Sequence, residues 1–297
     1  MTNVDDPAQP EEVTGQFVPA NEVKADLTRG YRAIASGWHK WRHEFEIAGE
    51  PVTSALMNAC CLQRGMRVLD VACGVGEPAL KLAPRVSPGI VVAVDLVKEM
   101  LDEAVKAAVD AESANIRFAV ADGEGLPFRD EVFDHVTCRG AIMYFPDAAR
   151  ALREAYRVLR PNGRAVFTSI GRADETQATV ATLGVLQRYV PPPAPSRQSP
   201  NPYRFAAPYT LAALFTSAGF RDVHEETRTV ACPWPGNAEH FWSALPEHGL
   251  HLRELIESLE PSVRHRVVSD SIAALRQYER DGVLHLTTPV VIVSGVR

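Results

Sequence analysis

Apolar runs of strand length alternate with amphipathic segments along most of the chain. In the amphipathic segments, such as 147–159, apolar residues recur at spacings of three and four, which predicts helices. Several runs are apolar throughout, which is typical of parallel strands covered by helices on both faces. The predicted strands are 67–71, 89–95, 115–120, 132–138, 164–170, 220–230 and 283–296. This alternation predicts an α/β fold with a doubly wound, seven-stranded and mostly parallel sheet.

The flanking segments have a different character and suggest a division of the chain. Residues 1–20 are acidic and contain proline, so we expect a disordered tail there. Residues 21–64 carry aromatic and apolar side chains on one helical face and predict a helical N-terminal cap. Residues 65–170 hold five of the strands and form the predicted ligand-binding core. Residues 171–297 complete the sheet and include a helical insertion before the last strand, at about 236–281.

A glycine-containing turn follows the first strand. Gly74 to Ala79 matches the G-x-G-x-x-A fingerprint of dinucleotide sites, and its glycines let a ligand approach the backbone closely. A pyrophosphate needs N–H groups free of competing negative charge, whereas Asp70 and Glu77 beside this turn suit a cationic ligand. S-adenosylmethionine (SAM) carries a sulfonium, an ammonium and no phosphate. The predicted SAM-binding residues here are Asp70, Ala72, Cys73, Gly74 and Gly76; a glycine turn without any ligand is the alternative.

Further predicted cofactor residues follow later strands. Asp95 lies about 20 residues beyond the glycines, where an acid accepts hydrogen bonds from both ribose hydroxyls; a helix N-cap is the alternative reading. Leu96 and Met100 would then cover the adenine. Open α/β sheets bind ligands beyond the carboxyl ends of their strands, so we expect Arg139 and Gly140 near the methionine part of SAM.

Four stretches resemble the successive motifs of class I SAM-dependent methyltransferases, in the right order. They read VLDVACGVGEPAL, VVAVDLVKEML, ADGEGLPFRDEVFDHVTCR and VLRPNGRAVFTS, with Ala72 where many members have glycine. The likeness covers about 22–297 and is greatest to the small-molecule group that includes the ubiquinone and menaquinone C-methyltransferases. It implies that Asp122 binds the adenine amino group and that Gly123 lets the ring approach. It also implies an antiparallel edge formed by the last two strands, and a cap that closes over the cofactor.

Composition restricts the class of function. The formal net charge of -6 argues against a nucleic-acid partner, because such proteins usually carry a basic patch. Five cysteines without a C-x-x-C pair give no disulfide framework, so we expect a reduced, cytoplasmic compartment. No apolar run of about 20 residues is present, so no membrane span is expected. His39 and His43 have a spacing that could bind metal, but no third ligand accompanies them and we predict no metal site.

These observations predict an enzyme that moves a methyl group from SAM to a small, apolar or aromatic metabolite. Tyr31 and Trp38 of the cap and Tyr144 after the fourth strand are the candidate substrate-side residues; packing of the cap is the alternative for each. No arrangement of a nucleophile and a base is recognisable, so no catalytic base is assigned. The alternatives are a SAM-binding protein without methyl transfer and an NAD-dependent oxidoreductase. Whether the protein forms a homodimer is left open.

Overall fold

The computed structural model describes residues 19–191, 201–249 and 252–297. Nearly all of the predicted N-terminal tail, residues 1–18, therefore lies outside the described residues. The first helix begins at Ala20, the last residue assigned to that tail.

One mixed sheet runs through the molecule. Its strands are β1 (Arg67–Val71), β2 (Ile90–Asp95), β3 (Ile116–Val120), β4 (Phe133–Arg139), β5 (Leu159–Ile170), β6 (Arg221–Trp234), β7 (Glu279–Arg280) and β8 (Val283–Val296). Their order is β3-β2-β1-β4-β5-β8-β6, with β7 paired to β8 beside this path. Strands β1 to β5 are parallel, and β8 is antiparallel to both β5 and β6. The predicted mostly parallel, doubly wound sheet and its antiparallel edge are confirmed.

The short strand β7 is an eighth strand, one more than the seven predicted. Between β7 and β8 stand only Asp281 and Gly282, both with positive φ, at 52° and 74°. An Asp-Gly pair with positive φ at both positions is the favoured two-residue hairpin turn. The chain therefore reverses at once, and Glu279 pairs with Leu284. The Asp-Gly signal was present in the sequence, but a two-residue strand is too short to produce an alternating pattern.

Helices pack on both faces of the sheet. They are α1 (Ala20–Lys40), α2 (Arg42–Cys60), α3 (Ala79–Val86), α4 (Lys98–Asp110), α5 (Ala148–Val158), α6 (Gln177–Ala181), α7 (Leu183–Leu186), α8 (Thr210–Ser217), α9 (Ala238–His248), α10 (Leu252–Ser258) and α11 (Pro261–Arg276). Short 3-10 turns span Ile142–Tyr144 and Ala173–Glu175. None of the helices in the described ranges is both long enough and apolar enough to span a bilayer.

The two faces of β1 show why its sequence is almost continuously apolar. Successive strand residues point to opposite faces. Val68 packs with Leu82 and Val86 of α3, whereas Leu69 packs in a separate cluster with Leu152 of α5. Both side chains are fully buried, so neither face of the strand tolerates a polar residue without a partner. This central strand is held on both sides, and its carboxyl end is a rigid base for the turn that follows.

The cap consists of two long helices with one residue between them. Proline is favoured in the first turn of a helix, but Pro51 lies in the middle of α2, which begins at Arg42. Helix α1 lies against α4 and α9, and α2 packs on β6 and β5. The cap is therefore part of the body of the protein, and α1 lies beside the carboxyl ends of β2 and β3.

Candidate active site

The turn after β1 is built from left-handed backbone. Ala72, Gly74 and Gly76 have φ values of 56°, 54° and 107°. Left-handed φ is routine for glycine but uncommon for alanine, so Ala72 holds a conformation that surrounding contacts must impose. One such contact is the N–H of Cys73, which donates to the carbonyl of Val94 at 3.0 Å and joins the turn to β2.

Asp95, at the end of β2, fixes the same turn through its side chain. Its Oδ2 accepts from the N–H of Gly74 at 2.8 Å, and its Oδ1 accepts from the N–H of Val97 at 2.9 Å. Burial raises the pKa of this carboxyl, while the two N–H bonds act in the opposite direction. Asp95 is not the N-cap of α4, because that position is Val97 and has no side-chain cap; the Asp95 carboxylate instead fixes the turns on both sides of it. Asp95 lines the cavity beside the turn, and each of its oxygens keeps a further lone pair.

A cavity of about 190 Å³ opens at the carboxyl ends of β1, β2, β3 and β4. Most residues proposed from the sequence lie in its wall. The predicted cofactor residues in the wall are Ala72, Cys73, Gly74, Asp95, Leu96, Met100, Asp122, Gly123, Arg139 and Gly140, and the predicted substrate-side residues are Tyr31, Trp38 and Tyr144. One connected cavity therefore brings together residues that are more than a hundred positions apart in the sequence.

Two of the predicted cofactor residues are not in that wall. Asp70 is fully buried inside β1, where Thr137 donates to its Oδ1 at 2.7 Å, and burial raises its pKa to about 7. A Cβ on Gly76 would come within 3.0 Å of Leu80, so this glycine serves the packing of α3. Of the two acids beside the turn, Glu77 lines the cavity and Asp70 does not.

Asp122 already has a partner from the cap. Lys24 of α1 donates to its Oδ2 at 2.6 Å and lies 2.6 Å from the carboxylate of Glu124. Oδ1 of Asp122 accepts from the N–H of Glu124 at 2.9 Å, as expected for an Asp-Gly turn. Lys24 was missed from the sequence, because a single lysine on an amphipathic helix carries no signal that it will lie over a distant strand end.

Glu77 and Arg139 form the charged part of the opposite wall. Nη1 of Arg139 donates to Oγ1 of Thr53 at 3.1 Å and to the carbonyl of Gly49 at 3.3 Å, so the guanidinium is held by α2. Burial raises the pKa of Glu77 to about 7, and the nearby positive charge of Arg139 opposes that shift. This acid and this base lie beside each other in a largely water-excluded place, where charges interact more strongly than in water.

Aromatic side chains cover the cavity from the cap side. The rings of Tyr31 and Tyr144 meet edge to face, with centroids 6.2 Å apart. The ring of Trp38 packs against that of Phe45, with centroids 4.5 Å apart, and Trp38 also lines the cavity. Burial raises the pKa of both tyrosines, so their hydroxyls stay protonated and act as hydrogen-bond donors.

Other aromatic residues of the cap and insertion lie elsewhere. Trp41 and Phe241 belong to a core cluster with Trp234, and Trp242 packs with Leu186 and Ile256. These rings flank the sheet in sequence, but none of the three lines the cavity. Helix periodicity shows which residues share a face, but not which neighbour that face meets.

The histidines of α1 and α2 do not form a metal site. His39 pairs with Glu103 of α4 at 2.7 Å on the outer side of the helices, and His43 is exposed. In the described ranges, no group of three or more His, Cys, Asp or Glu side chains is placed to hold a metal ion.

Comparison with known proteins gives this cavity a context. Residues 69–167 match the family model described as methyltransferase domain. A segment of 158 residues is 41% identical to a ubiquinone/menaquinone biosynthesis C-methyltransferase of Rickettsia prowazekii, covering 51% of this chain and 58% of the relative. The chain thus spans little more than half the length of this curated relative. The predicted resemblance to small-molecule class I methyltransferases is confirmed.

Solved structures show the same fold. The YcgJ protein of Bacillus subtilis has a TM-score of 0.54 at 19% identity, over 83% of this chain and 97% of that one. A phosphoethanolamine N-methyltransferase 2 of Haemonchus contortus, solved with S-adenosylhomocysteine, has a TM-score of 0.56 at 19% identity. The match covers 95% of this chain and 60% of that one. At this identity the likeness establishes the fold and does not carry a substrate from one protein to the other.

Proposed function

Since the chain carries a class I methyltransferase domain, we propose that it is an enzyme that transfers a methyl group from SAM to a small acceptor. The observation that carries this proposal is the meeting of the Ala72–Gly74 turn, Asp95 and Asp122 in one cavity at the ends of three parallel strands. Ligands of doubly wound sheets bind at such an edge. The curated relative and the domain match support the same reaction class.

The residues of the cavity fit SAM in charge and shape. Asp95 has lone pairs left for ribose hydroxyls, and Leu96 and Met100 offer apolar cover for a base. Gly140 has a φ of +62° and no atom within 4 Å of an added Cβ, so its backbone is open to a ligand. We assign Asp95 to the ribose, Asp122 to the adenine, and Arg139 with Gly140 to the methionine part.

SAM supplies a methyl group that its sulfonium already activates. The protein therefore has to hold donor and acceptor in line, which can contribute up to roughly 11 kcal/mol. The cap helix α1 serves this purpose by placing Tyr31 and Trp38 over the cavity and by excluding water from it. Tyr31 and Tyr144 each present a protonated hydroxyl that can orient a polar group of the acceptor.

We assign the acceptor to small, apolar or aromatic molecules. The wall on the cap side is made largely of Leu27, Tyr31, Trp38, Tyr144 and Phe145. Small-molecule sites are typically apolar with a few placed polar groups. The net charge of -6 gives no attraction for a phosphate backbone, so a nucleic-acid substrate is not part of the proposal.

The organisation of the chain follows from this assignment. We propose that 65–170 holds the cofactor, that 21–64 caps it, and that 171–297 completes the sheet and contributes to the acceptor side. A cytoplasmic location stays a prediction from the five free cysteines. A homodimer is an open prediction that sedimentation would test. Neither alternative function, an NAD-dependent oxidoreductase or SAM binding without transfer, is favoured by the comparisons.

Calorimetry with SAM, S-adenosylhomocysteine and NAD tests the cofactor assignment. We expect saturable binding of SAM and its demethylated product and none of NAD, because Glu77 lies beside the glycine turn, where a pyrophosphate would meet negative charge. Tight binding of NAD without binding of SAM would overturn the proposed function.

A further inference from the structure

The two edges of the sheet are built in different ways. The edge strand β3 has five residues, and Nη1 of its Arg117 donates to the carbonyls of Ile116 and Ala114, at 2.7 Å and 3.0 Å. A side chain that occupies edge carbonyls hinders another strand from pairing there. The strand at the opposite edge, β6, has fourteen residues. No side chain in the described ranges bonds to the backbone groups of 223–234 in this way.

The outer side of β6 carries unpaired backbone groups. In an antiparallel ladder a residue sends its N–H and its C=O to the same side, and the side alternates along the strand. The carbonyl of Pro289 accepts from the N–H of Gly171 at 2.7 Å, toward β5, so Thr229, opposite Pro289 in β6, receives no ladder bond from it. The backbone groups of Thr229 and of Thr227, two residues earlier, therefore point away from β8. No strand among the described residues pairs with them.

The position of a proline in β6 agrees with this alternation. Pro233 stands four residues beyond Thr229, so it belongs to the set whose backbone points outward. Its missing N–H therefore removes no bond to β8, as is usual for proline in an edge strand. Residues 221–232 contain no further proline and no lysine, the residues that commonly block an edge. The outer side of β6 is thus open to a further strand.

The middle of β6 is also uncovered on both faces. Successive residues point to opposite faces, and Thr227, Arg228 and Thr229 are all exposed. Neither α2 on one face nor α8 on the other covers this part of the strand. Tyr209 lies beside it, because its N–H donates to the carboxylate of Glu225, and this tyrosine is 71% exposed. Aromatic residues are enriched at protein interfaces.

The charges of this segment complement those of a second copy of the same segment. Nη2 of Arg228 lies 2.7 Å from Oε1 of Glu226, and the two side chains are 50% and 40% exposed. If two copies of β6 run antiparallel with Thr227 opposite Thr227, Glu226 of each copy stands opposite Arg228 of the other. A two-fold axis at Arg228 or at Glu226 would instead place like charges opposite each other, which is unfavourable. The sequence of the edge therefore selects one register.

We propose that β6 is the contact between two copies of this chain, which pair antiparallel about Thr227 and join their sheets. In this register Thr227 exchanges backbone hydrogen bonds with its counterpart, and Glu225 does so with Thr229 of the second copy. The two Glu226–Arg228 pairs stand at positions where antiparallel side chains come closest. No residue of β6 lines the cavity, so the pairing leaves the cavity open and does not depend on the proposed reaction.

Sedimentation equilibrium of the full chain tests the contact, at protein concentrations from about 1 μM to about 1 mM. We expect a reversible equilibrium between monomer and dimer. Thr227→Pro removes an N–H that points outward and keeps the ladder with β8, as Pro233 does in the unaltered strand. The dissociation constant of the dimer should rise by about tenfold or more in this variant.

Exchanging the charges gives a sharper test. Glu226→Arg makes both positions basic and Arg228→Glu makes both acidic, so each variant alone should dimerise at least about tenfold more weakly. A mixture of the two should form a one-to-one heterodimer in native mass spectrometry, because each basic position then faces an acidic one. Asp174→Arg is the matched control, since Asp174 pairs with Arg172 at the same spacing outside β6. This variant should dimerise as the unaltered protein does.

Several outcomes would overturn the inference. They are an unaltered protein that stays monomeric over the whole range, charge variants that dimerise as tightly as the unaltered protein, or a mixture of the folded charge variants that forms no heterodimer. Thermal denaturation shows that each variant is folded, and exposed substitutions of this kind usually change stability little. Calorimetry with SAM separates the two proposals, because all of these variants should bind SAM as the unaltered protein does.

Discussion

The two sides of the cavity that we assign to the cofactor and to the acceptor are built in different ways. On the cofactor side, the Ala72–Gly74 turn and Asp95 come directly after buried parallel strands and are joined by backbone hydrogen bonds. On the acceptor side, Tyr31 and Trp38 come from a helix that reaches the cavity only because α1 packs across α4. Local sequence order determines the first side, whereas tertiary packing determines the second.

This difference has consequences for mutations. The backbone of the turn cannot move without disturbing β1 and β2, so changes there should act on cofactor binding in an all-or-none manner. The cap is held by side-chain contacts such as the Lys24–Asp122 pair and the Tyr31–Tyr144 ring contact. Changes in the cap should therefore act on the acceptor and should be graded.

Gly74→Val should have the largest effect. Gly74 has a φ of +54°, where a β-branched residue is strained, and its added side chain would point toward Met100 in the cavity. We expect loss of detectable SAM binding in calorimetry. Gly65→Val is the control, since Gly65 also has a positive φ but has open space around it and lies outside the cavity. Both variants should lose about 1–3 kcal/mol of stability, and equal SAM affinities would show that the turn is only structural.

Asp95→Ala should have the second largest effect. It removes the acceptor proposed for the ribose and also the bond that holds the N–H of Gly74. A hydrogen bond to a charged group contributes about 1.5–3 kcal/mol, so SAM affinity should fall by about tenfold to a hundredfold. Asp102→Ala on the exposed side of α4 is the control and should leave affinity unchanged. An unchanged affinity in a folded Asp95→Ala protein would place the ribose elsewhere.

Much of the cofactor side could be predicted from the sequence, because a strand, a turn and a helix start leave local signals. Asp70 shows the limit of such signals. Its position next to the turn suggested a ligand contact, but its side chain is fully buried and accepts a hydrogen bond from Thr137 of the neighbouring strand. Which way a strand-end side chain points depends on register, and a single sequence does not show the register between β1 and β4.

The acceptor side could be predicted only in outline. The helical face of Tyr31 and Trp38 was recognisable, but its neighbours were not. Lys24 meets Asp122 across 98 positions of sequence, and no periodicity indicates such a contact. Trp242 also flanks the sheet in sequence, yet it packs on Ile256 and does not line the cavity. Long-range helix packing decides these positions.

Trp38→Ala should have an effect of intermediate size, and this effect should fall on the acceptor side and not on the cofactor side. Trp38 lines the cavity, so its removal should reduce acceptor turnover by about tenfold or more, while SAM affinity changes by less than about threefold. Trp242→Ala is the matched control, because this tryptophan lies in another cluster. It should lower the stability of the protein and leave the ratio of acceptor turnover to SAM affinity unchanged. Parallel losses of SAM affinity and turnover in Trp38→Ala would contradict the division.

Lys24→Met should have the smallest effect. The side chains of Lys24 and Asp122 are 21% and 35% exposed, but Glu124, the second partner of Lys24, is only 3% exposed. We therefore expect a loss of about 1–3 kcal/mol of unfolding free energy and little change in SAM affinity or turnover. Chemical denaturation at low and at high salt measures the free energy of unfolding. The difference in this free energy between the variant and the unaltered protein should narrow at high salt. A loss of several kcal/mol would mean that this ion pair, and not apolar packing, holds the cap in place.

The most direct test of the central claim is mass spectrometry of a cell extract incubated with the protein and methyl-labelled SAM. We predict that the label appears in a small aromatic metabolite, that its appearance requires the protein, and that Gly74→Val abolishes it. Label that enters only RNA or protein, or that stays in SAM while the protein binds SAM tightly, would contradict the proposed methyl transfer.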